Sequence, residues 1–345
     1  MTASSSSQQF SLASEKAQRR FDGLPLLPEI SVLVVGLLAM WLMPDEMGFL
    51  TRITTGALFV LSLDLVLGYA GIVTLGHAAF FGVGAYAAGI VAIHFSADPL
   101  VGLMAGALMG GFIACVTGSF LLRTHGLTCL MMTIAIAQIL LEVLNKWRSV
   151  TGGDDGLSGV VVDPIFGFIE FDFMGKTGFV YSLVVLVIAF GVLRKLVKSS
   201  FGLTCTGIRE DRIRMTALGC NVYRHTLLMY VLGGVFAGVA GAVMAQTTQV
   251  VGLSSLGFTW SAEALVMLVL GGMGRLWGAI LGTVLFMVVH HFASAFDPFK
   301  WMFVIGGLLV VVVLVFPGGL VQAFERLFKS GKPVEGKGGE HEQRA

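Results

Sequence analysis

The sequence predicts an all-α membrane protein, a polytopic bundle of eight to ten transmembrane helices with both termini in the cytoplasm. Three observations lead there: an apolar composition, a series of apolar stretches long enough to cross a bilayer, and an uneven distribution of basic residues. Hydrophobic residues make up 56% of the 345 residues, and charged residues only 12%. Because soluble domains average about 25% charged residues, this chain has too little polar surface for a water-soluble fold.

Apolar stretches define the candidate spans. A helix that crosses about 30 Å of hydrocarbon needs roughly 20 mainly apolar residues. The eighth stretch is short, and we expect either a re-entrant segment or a half-helix there. Only Tyr69-Ala70-Gly71 separates the second stretch from the third, so a break at membrane depth is the alternative to two separate spans. The ten stretches are 26–43, 52–70, 72–94, 99–121, 126–145, 178–197, 226–246, 260–273, 276–292 and 300–317.

Basic residues predict the orientation of these spans. With the N-terminus in the cytoplasm and ten crossings, 17 of the 22 Lys and Arg residues fall on the cytoplasmic side and five outside. Such an excess is typical of cytoplasmic loops. Removing two crossings does not change the result, so the prediction is N-in and C-in.

The same assignment divides the chain into segments. Residues 1–25 form a cytoplasmic N-terminal segment, 26–320 the transmembrane domain, and 321–345 a cytoplasmic tail. We expect the tail to be disordered because it is rich in Gly, Lys and Glu. Within the transmembrane domain, the main soluble parts are an external loop at 146–177 and a cytoplasmic loop at 198–225.

Glycine spacing predicts close helix packing. The chain has 46 glycines, and the fourth stretch places Gly102, Gly106 and Gly110 four residues apart. Residues at this spacing share a helix face, and a face of small residues lets another backbone approach closely. We therefore interpret the three glycines as a packing surface; a moving or pore-lining helix is the alternative.

Several polar residues fall inside the apolar stretches. Such residues are costly in a membrane and usually face the bundle interior or a water-filled path. Asp64, His77 and Glu263 are candidates for lining a translocation pathway, and Gln138 and Glu142 are further polar positions. The alternative is that they hydrogen-bond to neighbouring helices or lie near the interface. The sequence predicts no metal site and no cofactor.

Enzyme signatures are absent from the sequence. It contains no G-x-S-x-G, no H-E-x-x-H and no pair of catalytic carboxylates. Gly175-Lys176-Thr177 resembles the end of a phosphate-binding loop, but the glycine required five residues earlier is Glu170. Any uphill transport by this chain must therefore draw on a partner that hydrolyses nucleotide or on an ion gradient. A net charge of +1 gives no indication of nucleic-acid binding.

The predicted cytoplasmic loop contains a candidate docking helix. Residues 210–218 have acids in the first turn, and Ile213, Ala217 and Leu218 fall at helical spacing. Gly219 follows as a candidate C-cap. A short amphipathic helix outside the membrane is suited to docking into a groove on another protein; a solvated basic loop is the alternative.

These residues carry a family resemblance. Arg209-Glu210-Asp211 followed by Ala217-Leu218-Gly219 resembles the coupling-helix motif of ABC importer permeases, and the chain is similar to the permeases of branched-chain amino acid importers. Further matching stretches follow in the family's order: 68–71 with 75–86, 151–157, 237–242 and 269–278.

The resemblance implies partners and a location. It implies a multi-pass protein of the bacterial cytoplasmic (inner) membrane that pairs with a second homologous permease subunit. Two cytoplasmic ATPase subunits bind the coupling helices, and a periplasmic solute-binding protein delivers solute. Arg212 departs from the family, which often has small or acidic residues there. The residues implied to contact the ATPase are Arg209, Glu210, Asp211, Arg212, Ala217, Leu218 and Gly219.

Two functional hypotheses follow. The first is an ATP-driven ABC importer permease for branched-chain amino acids or a similar small polar solute such as an amide, urea or an aromatic acid. The second is a stand-alone, ion-coupled secondary transporter in which Asp64 and Glu263 bind the coupling ion. An intramembrane enzyme lacks the residues that it would need.

Overall fold

The computed structural model describes residues 27–43, 45–124, 126–160, 162–164, 175–296 and 306–307. The N-terminal segment 1–25 and the tail 321–345 lie outside these residues. So does the tenth predicted span, 300–317, apart from residues 306 and 307.

Helices form nearly all of the described chain, so the predicted all-α class is confirmed. The first half contains α1 (Leu27–Leu42), α2 (Met47–Leu63), which continues as a π-helix (Asp64–Tyr69), α3 (Ala78–His94), α4 (Pro99–Leu121), α5 (Leu127–Lys146) and α6 (Arg148–Thr151). The second half contains α7 (Lys176–Lys198), α8 (Ser200–Glu210), α9 (Arg212–Ala217), α10 (Val222–Thr248), α11 (Phe258–Gly271) and α12 (Leu276–Phe296). Two-residue strands, β1 (Leu157–Ser158) and β2 (Val250–Val251), pair antiparallel.

Six of the described helices are long and apolar enough to cross a membrane. They are Met47–Tyr69, Pro99–Leu121, Leu127–Lys146, Lys176–Lys198, Val222–Thr248 and Leu276–Ala295. Shorter apolar helices cover Glu29–Leu42, Ala78–His94 and Phe258–Gly271. The chain is thus a multi-pass membrane protein, and the eighth predicted span is the short helix that its sequence indicated.

The third predicted span begins later than expected. The sequence predicts this span at 72–94, but α3 starts only at Ala78, and residues 70–77 are not helical. Gly71 takes a left-handed conformation with φ of 71°, which turns the chain out of the π-helix. His77 then lies beside Ser62, with Nε2 and Oγ 3.0 Å apart. Ser62 lies roughly 10 Å along the second span from the end of the π-helix. Because His77 is beside Ser62, α3 begins partway along the second span and not at its end.

Glycines bring α3, α4 and α10 into backbone contact at the centre of the bundle. A Cβ on Gly106 would lie 2.7 Å from the carbonyl oxygen of Gly238 and 3.1 Å from that of Gly84. A Cβ on Gly110 would overlap the carbonyl oxygen of Gly234. The face that carries Gly102, Gly106 and Gly110 is buried, and this close packing fixes the frame on which the site is built.

The connections gather at two ends of the bundle. At one end, which we call the connecting end, the break at 70–77 and the loop 272–275 both lie against Arg209. Arg209 belongs to residues 199–221, which we call the connecting segment. At the opposite end, β1 pairs with β2, and the amide of Asp163 donates to the carbonyl of Ala97 over 2.9 Å. The described parts of the two predicted loops therefore lie at different ends.

Candidate functional site

The connecting segment folds as two short helices, not the single helix predicted at 210–218. Glu210 ends α8, and Asp211 is extended, with φ of −152°. The Asp211 carboxylate then accepts a hydrogen bond from the amide of Arg214 over 2.9 Å and so caps the start of α9. The two acids expected in the first turn of one helix are therefore separated: Glu210 ends α8, and Asp211 forms the corner before α9.

Gly219 ends α9, as its sequence position predicted. It is left-handed, with φ of 83°. Its amide donates to the carbonyl of Thr216 over 3.0 Å, and the amide of Cys220 donates to the carbonyl of Met215 over 3.1 Å. This pair of bonds is the Schellman motif, which needs glycine or asparagine at the left-handed position.

The outer side of α9 exposes apolar side chains. Ile213 is 84% exposed and Leu218 is 74% exposed. Ala217, Gly219 and Glu210 are also exposed. Because α9 is too short to cross the hydrocarbon layer, these apolar side chains lie outside the membrane-spanning helices and are not covered by the rest of the described chain.

The inner side of the connecting segment contacts the broken second span. Arg209, in the last turn of α8, donates a hydrogen bond from Nη1 to the backbone carbonyl of Gly68, in the π-helix. Its aliphatic part packs on Gly71, where a Cβ would lie only 2.7 Å from the Arg209 Cγ. The guanidinium of Arg209 therefore reaches the bundle although the residue as a whole is exposed, whereas Arg212, after the corner, is half-buried.

Asp64 lies one turn below this contact and is completely buried. Its Oδ1 accepts a hydrogen bond from the amide of Gly274 over 2.7 Å. Its Oδ2 is buried and has no hydrogen-bond partner among the described residues. Asp64, Gly68, Arg209 and Gly274 thus form one cluster, which we call the junction, and it joins three segments that are distant in sequence.

Two glycines make the junction possible. A Cβ on Gly68 would overlap Oδ1 of Asp64 and lie 2.5 Å from the Gly274 nitrogen. Gly274 is left-handed, with φ of 75°, and a Cβ there would lie 3.0 Å from Nη1 of Arg209. Side chains at either position would separate the three segments.

His77 lies at the start of α3 among aromatic rings. It is fully buried, its ring stacks on Phe59 with 5.6 Å between centroids, and its Nδ1 has no hydrogen-bond partner among the described residues. The adjacent amide of Ala78 donates to Oγ of Ser261 over 2.8 Å. Ser261 belongs to the short helix α11, so the start of α3 is tied to that helix at membrane depth.

The three predicted pathway candidates occupy different surroundings. Asp64 belongs to the junction and His77 to the aromatic cluster, whereas Glu263 is half-buried on α11, where Arg52 is close enough to interact with its charge. The structure therefore does not bring the three into one site. Gln138 and Glu142, one turn apart on α5, are both exposed.

The connecting segment also contains two cysteines near His225. Cys220 Sγ lies 3.7 Å from Nδ1 of His225, and Cys205 Sγ lies 3.8 Å from the His225 carbonyl oxygen. Burial, and secondarily the neighbouring Cys220, raise the pKa of the Cys205 thiol to about 11. Among the described residues no group of three or more His, Cys, Asp or Glu is arranged to bind a metal.

Sequence reasoning missed the junction. It assigned Arg209 to an exterior contact, and it singled out the stretches containing Gly68 and Gly274 without relating them to Arg209. The available signal was the presence of glycine-rich stretches at the ends of two predicted spans. Contact between them depends on the π-helix and the late start of α3, which apolar composition does not reveal.

A family model described as the branched-chain amino acid transport system / permease component matches residues 47–313. This match includes the junction, the break at 70–77 and the whole connecting segment. It leaves out α1 and the C-terminal tail.

Several curated permeases are similar to this chain. The high-affinity branched-chain amino acid transport system permease protein LivM of Escherichia coli (strain K12) is 28% identical over 287 residues, covering 76% of this chain and 66% of LivM. The probable LivM permease of Methanocaldococcus jannaschii is 23% identical over 315 residues, covering 76% of this chain and 88% of that protein. The E. coli permease LivH is 32% identical over 124 residues, covering 36% of this chain and 40% of LivH. The chain thus spans slightly less than two thirds of the E. coli LivM that it matches, and no solved structure gives a significant match.

Proposed function

Because the chain belongs to the family of branched-chain amino acid transport permease components, we propose that it is the membrane-spanning subunit of an ATP-driven ABC importer. Its solute is a branched-chain amino acid or a similar small polar molecule, such as an amide, urea or an aromatic acid. The single observation that carries the proposal is the pair of large apolar side chains exposed on and directly after α9, Ile213 and Leu218, which lie outside the membrane helices.

The ATP-driven part of the proposal rests on α9 as a docking helix. A cap at Asp211 and a Schellman motif at Gly219 fix its two ends, so the exposed side chains of Ile213 and Leu218 are presented in a defined geometry. A preorganised amphipathic helix of this kind fits a hydrophobic groove on another protein. We assign that groove to a cytoplasmic ATPase, which supplies the energy that this chain has no motif to obtain.

The membrane orientation is part of the proposal. Among the described residues, the connecting end carries Arg123, Arg194, Lys195, Lys198, Arg209, Arg212, Arg214, Arg224 and Arg275. Basic residues accumulate on the cytoplasmic side of membrane proteins, so we place this end in the cytoplasm of a bacterial inner membrane. The N-terminal segment 1–25 and the tail 321–345 are then cytoplasmic, and the loop 146–177 faces a periplasmic solute-binding protein.

A second permease subunit completes the assembly. The chain is similar both to LivM and, over a shorter region, to LivH, which supports pairing with a homologous subunit. Gln138 and Glu142 on α5 are exposed in this single chain. Because polar side chains in a membrane rarely face lipid, we place α5 against that subunit or the solute pathway.

Docking can be tested by replacing the two exposed apolar side chains, Ile213 and Leu218, without adding charge. Ile213→Ser with Leu218→Ser is expected to lower the ATPase activity that co-purifies with the chain from its native membrane. It is also expected to lower ATP-driven leucine uptake by membrane vesicles, and both by about ten-fold or more, as for the loss of two contacts buried in an interface. Leu203→Ser is the matched control, because Leu203 is 66% exposed but lies on α8. It is expected to leave both activities near wild type.

Two results would refute the proposal. One is uptake by the wild-type chain alone in liposomes, driven by a proton or sodium gradient without ATP, which is the behaviour of a secondary transporter. The other is full ATP-driven uptake by the Ile213/Leu218 variant. Uptake assays with leucine, urea and a short amide, each with ATP inside the vesicles, identify the solute class.

A further inference from the structure

The junction connects the proposed docking helix to the broken span. Arg209 precedes the first residue of α9 by three positions, and the corner between them is hydrogen-bonded on both sides. The amide of Asp211 donates to the carbonyl of Gly207 over 3.0 Å, and its carboxylate caps α9. A displacement of α9 therefore moves Arg209 with it, because α8, the corner and α9 form one bonded unit.

Arg209 contacts the second span where that span is weakest. The π-helix has a looser hydrogen-bond ladder than an α-helix, and such segments are frequent at functional sites. The carbonyl that Arg209 contacts belongs to Gly68, and the π-helix ends one residue later, at Tyr69. Making or breaking this contact therefore acts directly on the break that leads to His77 and the start of α3.

The two oxygens of Asp64 are in different states. Oδ1 accepts the amide hydrogen of Gly274, whereas Oδ2 has no partner among the described residues. A buried carboxylate oxygen without a partner is unfavourable. A state in which a cation pairs with Oδ2 of Asp64 is therefore favoured over the state described. Arg209 is close enough for its charge to act on Asp64.

We propose that Arg209 and Asp64 are positioning residues that transmit movement of the connecting segment to the broken span. In the state described, Arg209 is bonded to the Gly68 carbonyl and Oδ2 of Asp64 is open. When the docking helix shifts, Arg209 leaves Gly68 and pairs with Oδ2 of Asp64. The loop at Gly274, bonded to Oδ1, moves with this exchange. This inference rests on the proposed function, since it needs a driven docking helix.

The experiment measures solute transported per ATP hydrolysed in the complete importer reconstituted in liposomes. Arg209→Gln removes the cation, and Asp64→Asn removes the charge but keeps an oxygen for the Gly274 amide. Each is expected to lower the transport-to-hydrolysis ratio by about ten-fold, within the usual range for coupled sites. Assembly with the ATPase is expected to persist, because Ile213 and Leu218 are intact.

The double variant distinguishes a coupled pair from two separate structural roles. If the residues act through each other, Arg209→Gln with Asp64→Asn is expected to be no worse than the more severe single variant. Arg224→Gln is the control cation, exposed at the start of α10, and is expected to leave the ratio unchanged. Arg209→Lys retains a cation, so it is expected to restore much of the ratio. If the Arg209→Gln chain does not assemble, Asp64→Asn carries the test.

A wild-type ratio in either single variant would overturn the inference, and so would a double variant whose loss equals the product of the two single losses. These failures are distinct from failure of the proposed function. If wild-type uptake needs no ATP, or if the Ile213/Leu218 variant retains full activity, the importer assignment itself is wrong.

Discussion

Two spans that are both apolar enough to cross a membrane have opposite surroundings. In Met47–Tyr69, 89% of the most apolar 18-residue stretch is buried inside the protein, whereas in Leu127–Lys146 the buried share of the corresponding stretch is 17%. The buried span contains the π-helix, Asp64 and close contacts with α10 and α12. The exposed span carries Ile139 and Met131 on its surface. Apolar composition identifies where a chain crosses the membrane, but it does not tell lipid neighbours from protein neighbours.

The difference has a physical cause. In a membrane, lipid tails are as apolar as leucine, so burial of a side chain gives little hydrophobic gain and close packing decides stability. Substitutions of the same size should therefore have large effects in the buried span and small ones in the exposed span.

The largest expected effect comes from matched truncations in the two spans. Leu61 is completely buried, whereas Ile139 is 61% exposed. Leu61→Ala leaves a cavity and is expected to lower the free energy of unfolding by about 2–5 kcal/mol. Ile139 makes few contacts within the chain, so Ile139→Ala is expected to change the free energy of unfolding by less than about 0.5 kcal/mol. Unfolding in mixed micelles titrated with denaturing detergent measures both, and equal losses would contradict the comparison.

The same comparison shows what could be predicted from sequence. Span positions follow from apolar stretches, since each needs only local composition. The end of α9 at Gly219 was predictable because the left-handed position and its two hydrogen bonds are also local. The corner at Asp211 was not, because aspartate is compatible both with a helix's first turn and with its cap, and packing of α8 decides between them.

The junction was unpredictable for a different reason. Arg209 and Gly68 are 141 positions apart, and Asp64 and Gly274 are 210 apart. Each residue has an acceptable local interpretation, with Arg209 on a solvated surface and Asp64 on a pathway. Only the three-dimensional arrangement shows that both contribute to one cluster.

A smaller effect is expected from the glycine contact that fixes the frame. Gly238→Ala places a Cβ against the backbone of Gly106 and Gly110, which cannot move aside as a flexible side chain does. We expect a loss of about 1–3 kcal/mol, the usual cost of overpacking, detected as a lower melting temperature in detergent. Gly48→Ala is the control, because no atom lies within 4 Å of its Cβ position. A normal melting temperature for Gly238→Ala would show that α4 and α10 are less tightly packed than described.

The smallest expected effect tests whether α5 faces lipid or a partner. Gln138 is exposed on α5 in the single chain, and hydrogen bonds between membrane helices contribute about 0.6 kcal/mol on average. If a second permease subunit covers α5, Gln138→Leu weakens pairing by about that amount, and the dissociation midpoint of the permease pair shifts by roughly three-fold. If α5 faces lipid, the variant pairs as well as wild type and is slightly more stable alone, since no polar group then remains in the hydrocarbon. Fluorescence energy transfer between labelled subunits, diluted in lipid, distinguishes the two arrangements, with Ile139→Leu as the control for a change of shape without a change of polarity.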